Sequence, residues 1–225
     1  MCLILLAWRA HPTHPLLVAA NRDEFHARPA APAAFWGDQP SILAGRDLEA
    51  GGTWMGVTRN GRFAAVTNYR GAHEPRAAES RGALVSRFLL NGQTAEDYVA
   101  GVRERAASYS GFNLLVSDGE SLWWLSNRDG RPRSLGPGIY GLGNTLLDAP
   151  EVDAAKGRFA IAVSSAAAVE TLFEVLTPSR IVHPLYGTRC ATVLRHGKER
   201  LRYAERSFAA NGVEGDTAHF EIRTA

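Results

Sequence analysis

MCLILLAW (Met1–Trp8) decides how the rest of the chain is read. Cys2 heads a run of seven apolar residues that stops at Arg9. The run is too short to cross a bilayer, and no basic stretch precedes it as in a secretory leader. It reads as a strand buried on both faces. A strand that begins at residue 2 holds in place a terminus that would otherwise fray. Cys2 then has two readings. It is a small apolar residue opening a strand, or it is a nucleophile. If Met1 is removed, Cys2 carries both a thiol and a free α-amine, and that amine can take the thiol proton.

Working outward, Pro15–Ala20 is a second short apolar run, joined to the first by a turn in RAHPTH (Arg9–His14). RPAAPAAFWGDQP (residues 28–40) carries three prolines between Pro29 and Pro40 and reads as irregular. Asn60-Gly61 between TWMGVTR and RFAAVTN marks a hairpin of strands at about 53–59 and 62–68, with positive φ expected at both turn positions. One helix follows with Leu84, Val85, Phe88 and Leu89 on a face. A second is capped by Thr94 and carries Tyr98, Val99, Val102 and Ala106 on one side. FNLLVSDGESLWWLS is a strand, a turn at Asp118-Gly119 and a strand, and GIYGLGN is another short strand. Helices are expected at about 151–163 and 167–176, then a closing meander of three antiparallel strands. Strands at both ends with helices grouped between them predict an α+β fold, not βαβ alternation.

At 225 residues the chain fits one domain, 1–225. All 25 basic residues except Lys156 and Lys198 are arginine, the net charge is only +2, and no basic cluster stands out, so no nucleic-acid partner is expected. Two cysteines, Cys2 and Cys190, make neither a disulfide framework nor a metal spacing. His11, His14, His26 and His183 lack helical or hairpin ligand spacing, and Pro12 argues against a helix carrying His11 and His14 together. No cofactor or metal is expected, nor any integral membrane segment, and the expected location is cytoplasmic.

Chemistry-bearing residues gather at strand ends. NRDE (Asn21–Glu24) closes the strand expected to pair with the first, so Arg22 or Asp23 comes near Cys2. A guanidinium favours a thiolate, whereas a carboxylate holds and orients an ammonium. The same tripeptide recurs at Asn127-Arg128-Asp129, where Gly130 makes it a plain turn. Asn68 and Asn144 each end a strand, where side-chain amides can stabilise an oxyanion or merely make turns. In GTRCATVL (Gly187–Leu194), alternation puts Cys190 and Thr192 on one face and Arg189 on the other.

Met1-Cys2, NRDE, GGTWMG (Gly51–Gly56), TNYRG (Thr67–Gly71), SRG (Ser80–Gly82), GFNLLV (Gly111–Val116), GLGN (Gly141–Asn144) and GTRCATVL follow one another along the chain. In this the chain resembles the NRDE family, to which the transport and Golgi organisation protein 2 homologues belong. More loosely it is similar to N-terminal-nucleophile hydrolases of the penicillin V acylase and bile salt hydrolase type. That resemblance implies a four-layer αββα sandwich. It implies Cys2 as nucleophile, Arg22 and Asp23 poising it, Asn68 and Asn144 lining the oxyanion hole, and Arg189 completing the polar cluster. The implied activity is that of an amidase or acyltransferase on a small amide or thioester. The other implied activity is that of a non-catalytic carrier for haem or an acyl-CoA-like lipid, as eukaryotic relatives are associated with Golgi organisation and secretion.

Overall fold

A computed structural model describes residues 2–71, 77–165 and 168–223. In chain order the first strands are β1 (Leu3–Trp8), β2 (Leu16–Phe25), β3 (Ala30–Phe35), β4 (Ile42–Asp47), β5 (Met55–Thr58) and β6 (Phe63–Asn68). Helices α1 (Gly82–Leu90) and α2 (Ala95–Glu104) follow, then β7 (Phe112–Ser117), β8 (Leu122–Ser126), β9 (Arg133–Ser134) and β10 (Gly138–Leu142). The chain continues through α3 (Asp153–Ser164), α4 (Val169–Leu176), β11 (Tyr186–His196), β12 (Arg200–Phe208) and β13 (Glu214–Arg223). These elements fall into two compact units, each an antiparallel sheet with its own pair of helices. Among the described residues no helix is long and apolar enough to cross a membrane.

The first unit holds the six-stranded sheet β10-β1-β2-β11-β12-β13 with α3 and α4. Every residue of β1 is buried, which explains why its sequence is a continuous apolar run and not an alternation. Odd positions Leu3, Leu5, Leu17 and Ala19 pack with Ala191 and Val193 against Phe159, Leu172, Phe173 and Leu176 of the helices. Even positions Ile4, Leu6 and Val18 are equally shut off from water on the other face. Fully burying a side chain of this size contributes about 1.5–3 kcal/mol. Four such residues in a row, Leu3 to Leu6, therefore anchor the segment that carries Cys2. The closing meander is β11, β12 and β13, paired in register from Cys190↔Ser207 to His196↔Leu201 and from Arg200↔Arg223 to Arg206↔Thr217, with a register shift before Phe208↔Glu214.

The second unit holds the seven-stranded sheet β3-β4-β5-β6-β7-β8-β9 with α1 and α2. Leu84, Val85, Phe88 and Leu89 of α1 and Tyr98, Val99 and Val102 of α2 are its buried helix faces, as their spacing predicts. Thr94 caps α2, its hydroxyl accepting from the Asp97 N–H at 3.1 Å. The helix ends at Glu104, so Ala106 sits in a 3-10 turn and not on the helix face. Residues 28–40 are not wholly irregular: Ala30–Phe35 forms β3 at the sheet edge. Its pairing with β4 breaks between Ala31 and Ala34, which absorbs Pro32 where no ladder N–H is required. The β5–β6 hairpin forms, but only Gly61 adopts positive φ, at 82°. Thr58 N–H donates to Arg62 O and Gly61 N–H to Thr58 O, so the loop is a three-residue turn with glycine in the left-handed position.

Candidate active site

Cys2 is half-buried one residue ahead of β1, and its sulfur is held by main chain. Sγ accepts the Asp23 N–H at 3.4 Å and donates to the Asp23 carbonyl at 3.5 Å. The pairing Leu3↔Asn21, carried one residue outward, sets Cys2 opposite Arg22. On the far side Arg22 pairs with Cys190. Cys2, Arg22 and Cys190 therefore form one cross-strand row on a single face of the sheet. Asp23 turns its side chain to the opposite face, so Arg22 shares the face of Cys2 while Asp23 touches it through the backbone.

The Asp23 side chain is 4% exposed, and its Oδ1 accepts the Thr188 hydroxyl at 2.6 Å. The Thr188 oxygen in turn accepts the Ile181 N–H at 2.9 Å. Thr188 was not singled out by the sequence reading, although it lies inside GTRCATVL. The signal was the pairing of β11 with the NRDE end of β2, which no local pattern discloses. Asn21 leaves the site altogether: it is fully buried and donates to the Leu176 carbonyl at 3.2 Å, tying α4 to the sheet. Glu24 lies 3.9 Å from the Arg22 guanidinium and accepts the Phe25 N–H.

A β-bulge reshapes the GTR segment. Thr188 pairs with Asp23 and Cys190 with Arg22, leaving Arg189 as the extra residue. Thr188 and Cys190 consequently face opposite sides of the sheet. Arg189 Nη1 donates to the carbonyls of Phe25, His26 and Arg28 at 3.0, 3.3 and 3.0 Å, bracing the turn after β2. Cys190 and Thr192 do share a face, and Thr192 Oγ1 donates to Glu205 Oε2 at 3.3 Å. Burial, reinforced by Glu205, pushes the Cys190 thiol well up, as befits a packed and unreactive cysteine.

Burial also dominates at Cys2. It pushes the thiol up to about 11, with the Asp23 charge adding to the rise, while the Asp23 hydrogen bond and Arg22 oppose it. The group is a thiol, not a thiolate, at neutral pH, so any attack by Cys2 requires a base. Met1 lies outside the described residues.

Asn68 and Asn144 belong to the second unit. Asn68 ends β6 and is exposed, while Asn144 is 9% exposed. Asn144 Nδ2 donates to the Asn68 carbonyl at 2.7 Å and the Arg70 N–H donates to the Asn144 carbonyl at 2.6 Å. The fully buried Asn113 completes this stitching by donating to the Thr145 carbonyl at 2.7 Å. TNYRG and GLGN are thus joined to each other, which their separation in sequence conceals. The Asn127-Arg128-Asp129 copy is a turn closed by Gly130 at φ 73°. His11 and His14 do meet, across a turn and not along a helix, with Nδ1 atoms 3.2 Å apart. Among the described residues no three His, Cys, Asp or Glu side chains converge as metal ligands do.

Two solved structures share the fold. One is a Caenorhabditis elegans N-acylethanolamine-hydrolyzing acid amidase ortholog, with a TM-score of 0.55 at 12% identity, covering 86% of this chain and 92% of that one. The other is a cysteine-to-alanine mutant of the conjugated bile acid hydrolase from Clostridium perfringens, with a TM-score of 0.59 at 9% identity, covering 99% of this chain and 92% of that one. The expected α+β fold of the N-terminal-nucleophile hydrolases is therefore the fold of this chain. In sequence, the Transport and Golgi organization protein 2 homolog of Bos taurus is 40% identical over 163 residues. The Homo sapiens homolog is 39% identical over 163 residues. The Drosophila melanogaster Transport and Golgi organization protein 2 is 31% identical over 196. The mammalian matches cover 67% of this chain and 59% of the relatives' own length. The family pattern itself matches residues 1–184. The chain belongs to the Transport and Golgi organisation 2 family.

Proposed function

We propose that the first unit carries an N-terminal cysteine amidase or acyltransferase centre, active once Met1 is removed. The observation that carries this reading is the seating of Cys2 Sγ on the Asp23 main chain at the head of a fully buried strand. A packing cysteine needs no such cradle, whereas a nucleophile gains from being held in one position. The freed α-amine, with an ordinary pKa near 8, takes the proton that the raised Cys2 thiol retains. Sγ then forms a bond to the substrate carbonyl carbon, and the C–N bond breaks. The amine leaves with the proton held by the terminus. Water, or a second amine in the transferase case, attacks the thioester, expels Sγ and returns the proton. Arg22 offsets negative charge on the sulfur from the same sheet face, and Asp23, fixed by Thr188, orients the terminus. Arg189 acts at one remove, by bracing the turn that ends β2. The oxyanion role of Asn68 and Asn144 rests on the resemblance and is tested by Asn144→Ala.

The test combines intact mass with turnover of N-acyl amides, using the wild type and Cys2→Ala. Loss of Met1, hydrolysis by the wild type and a fall of about 10³-fold or more in Cys2→Ala are expected for a lost nucleophile. Retained Met1, or full activity in Cys2→Ala, overturns the reading and leaves the carrier for haem or an acyl-CoA-like lipid in its place.

A further inference from the structure

Among the described residues the two sheets end in four edge strands, β10 and β13 in the first and β3 and β9 in the second. An edge strand offers N–H and C=O groups to any other chain, and proteins blunt such edges by shortness, proline or irregular register. Three of the four are blunted. β9 has two residues and β10 five, and β3 carries Pro32 where its register breaks. β13 has ten residues and no proline, and its pairing with β12 is irregular only at its start. From Thr217 to Arg223 the register is unbroken, and of these residues only Ile222 is buried. Alternation sorts this stretch into two rows. Ala218, Phe220 and Ile222 make one, with Phe220 opposite Tyr203 and their rings 6.4 Å apart. Thr217, His219, Glu221 and Arg223 make the other, on the side of α3 and α4, because His219 pairs with Ala204 of the helix-packed core.

We propose that β13 pairs with β13 of a second copy of this chain, antiparallel and around a two-fold axis at Phe220, joining two six-stranded sheets into one. Directly opposed residues of antiparallel strands share a face, so such an axis passes beside one residue, which then meets itself. With the axis at Phe220, the two Phe220 rings meet and Ala218 meets Ile222 of the other copy, so that row is apolar throughout. In the other row His219 meets Glu221 and Thr217 meets Arg223, and no like charges are opposed. Glu221 is bonded to Arg200 and Arg202 of its own copy, and its two oxygens can accept a further donor. The neighbouring registers are worse. An axis at Glu221 opposes two carboxylates, and an axis at His219 opposes two imidazoles and draws in Asp216 from the irregular start of the strand. Phe220 is also the midpoint of the unbroken stretch 217–223, so this register uses all of it and nothing else. The strand is complementary to itself, which selects a second copy over an unrelated extended peptide. The joined sheet would end in β10 on both sides, leaving no long bare edge.

The experiment measures the mass of the full chain by sedimentation equilibrium over a dilution series. A reversible monomer–dimer equilibrium is expected for the wild type. His219→Lys sets a cation against Glu221 of the other copy and is expected to tighten the dimer. His219→Glu sets like charges there and is expected to weaken it. Each shift should be about tenfold, because the symmetry installs the altered pair twice. Within one copy residue 219 lies diagonal to Arg202 and Arg206, so His219→Glu is expected to melt no lower than wild type. That melting temperature separates a lost interface from a lost fold. Wild type that stays monomeric up to about 1 mM overturns the proposal and leaves the β13 edge to a different chain. A dimer whose dissociation the two variants shift in the same direction, or not at all, overturns it as well and places the contact elsewhere. None of these readouts depends on turnover, so the proposed amidase can fail without affecting this result.

Discussion

Cys2 is gripped by the backbone of Asp23 and not by its carboxylate. The sulfur lies 3.4 Å from the Asp23 nitrogen and 3.5 Å from its oxygen, while the Asp23 Oδ1 is engaged by Thr188. The side chain on the sulfur's own face is Arg22, and it does not outweigh burial, which keeps the thiol up to about 11. In protein that keeps Met1, alkylation of Cys2 by iodoacetamide should be slow at neutral pH and rise about tenfold per pH unit toward that value. Rapid labelling at pH 7 in that form, read by mass spectrometry, would contradict the half-buried, protonated thiol described above.

Thr188 links three segments: its own strand, the Asp23 carboxylate and the Ile181 N–H. Thr188→Val keeps the shape but removes both bonds. A hydrogen bond to a charged group contributes about 1.5–3 kcal/mol, and stability should fall by that order. Urea unfolding measures it, with an unchanged midpoint as the contrary outcome. If Asp23 orients the terminus, the same variant should also lower turnover.

Gly187 has a steric reason to lack a side chain. A Cβ there would lie 2.7 Å from the Ile181 carbonyl oxygen. Gly187→Ala must push residue 181 away, which lengthens the Thr188–Ile181 bond, at a cost of about 1–3 kcal/mol typical of overpacking. Gly37→Ala is the control, since nothing lies within 4 Å of its added carbon. Similar melting temperatures for both variants would show that the 181 segment yields freely.

His14 predicts a pH dependence of folding. Its imidazole is held down from 6.5 to about 4 by burial, then by Arg195, His11 and Arg202. Between those two values the unfolded chain binds more protons than the folded one, so stability declines as pH drops through the window. His196, lowered by burial, acts in the same direction. His14→Gln should flatten, without abolishing, the fall of Tm between pH 6.5 and 4. Direct titration of the His14 ring by NMR with a midpoint near 6.5 would remove the basis for this expectation.

What was legible in the sequence follows from how local its cause is. The run of β1, the face of α1, that of α2 as far as Val102 and the Thr94 cap are set by neighbours in the chain and stand where the local pattern put them, while β2 runs on past Ala20 to Phe25 and Ala106 falls off the α2 face. β3 was missed because its prolines read as punctuation, and only pairing with β4 reveals an edge strand. The left-handed requirement at Asn60 was overread, since a third loop residue relieves it and leaves Gly61 alone with positive φ. At the candidate site, the approach of NRDE to Cys2 followed from expecting β1 and β2 to pair. Which residue faced which did not, because register is fixed by the whole sheet. The meeting of His11 with His14 and of Asn144 with Asn68 likewise arises from turns and long-range stitching.

The extra residue at Arg189 has a consequence for how β11 can change. In a strand of regular register Thr188 and Cys190 would share one side, and any alteration at one would press on the other. The insertion shifts the phase of the strand by half a period, so Tyr186 and Thr188 fall on the face of Asp23, whereas Cys190, Thr192 and Leu194 fall on the face of Arg22. One strand is thereby divided into two mutational territories. Position 190 can exchange sulfur for oxygen without disturbing Thr188, whereas deleting Arg189 would keep Thr188 opposite Asp23 and Cys190 opposite Arg22 and remove only the bonds that brace the turn after β2.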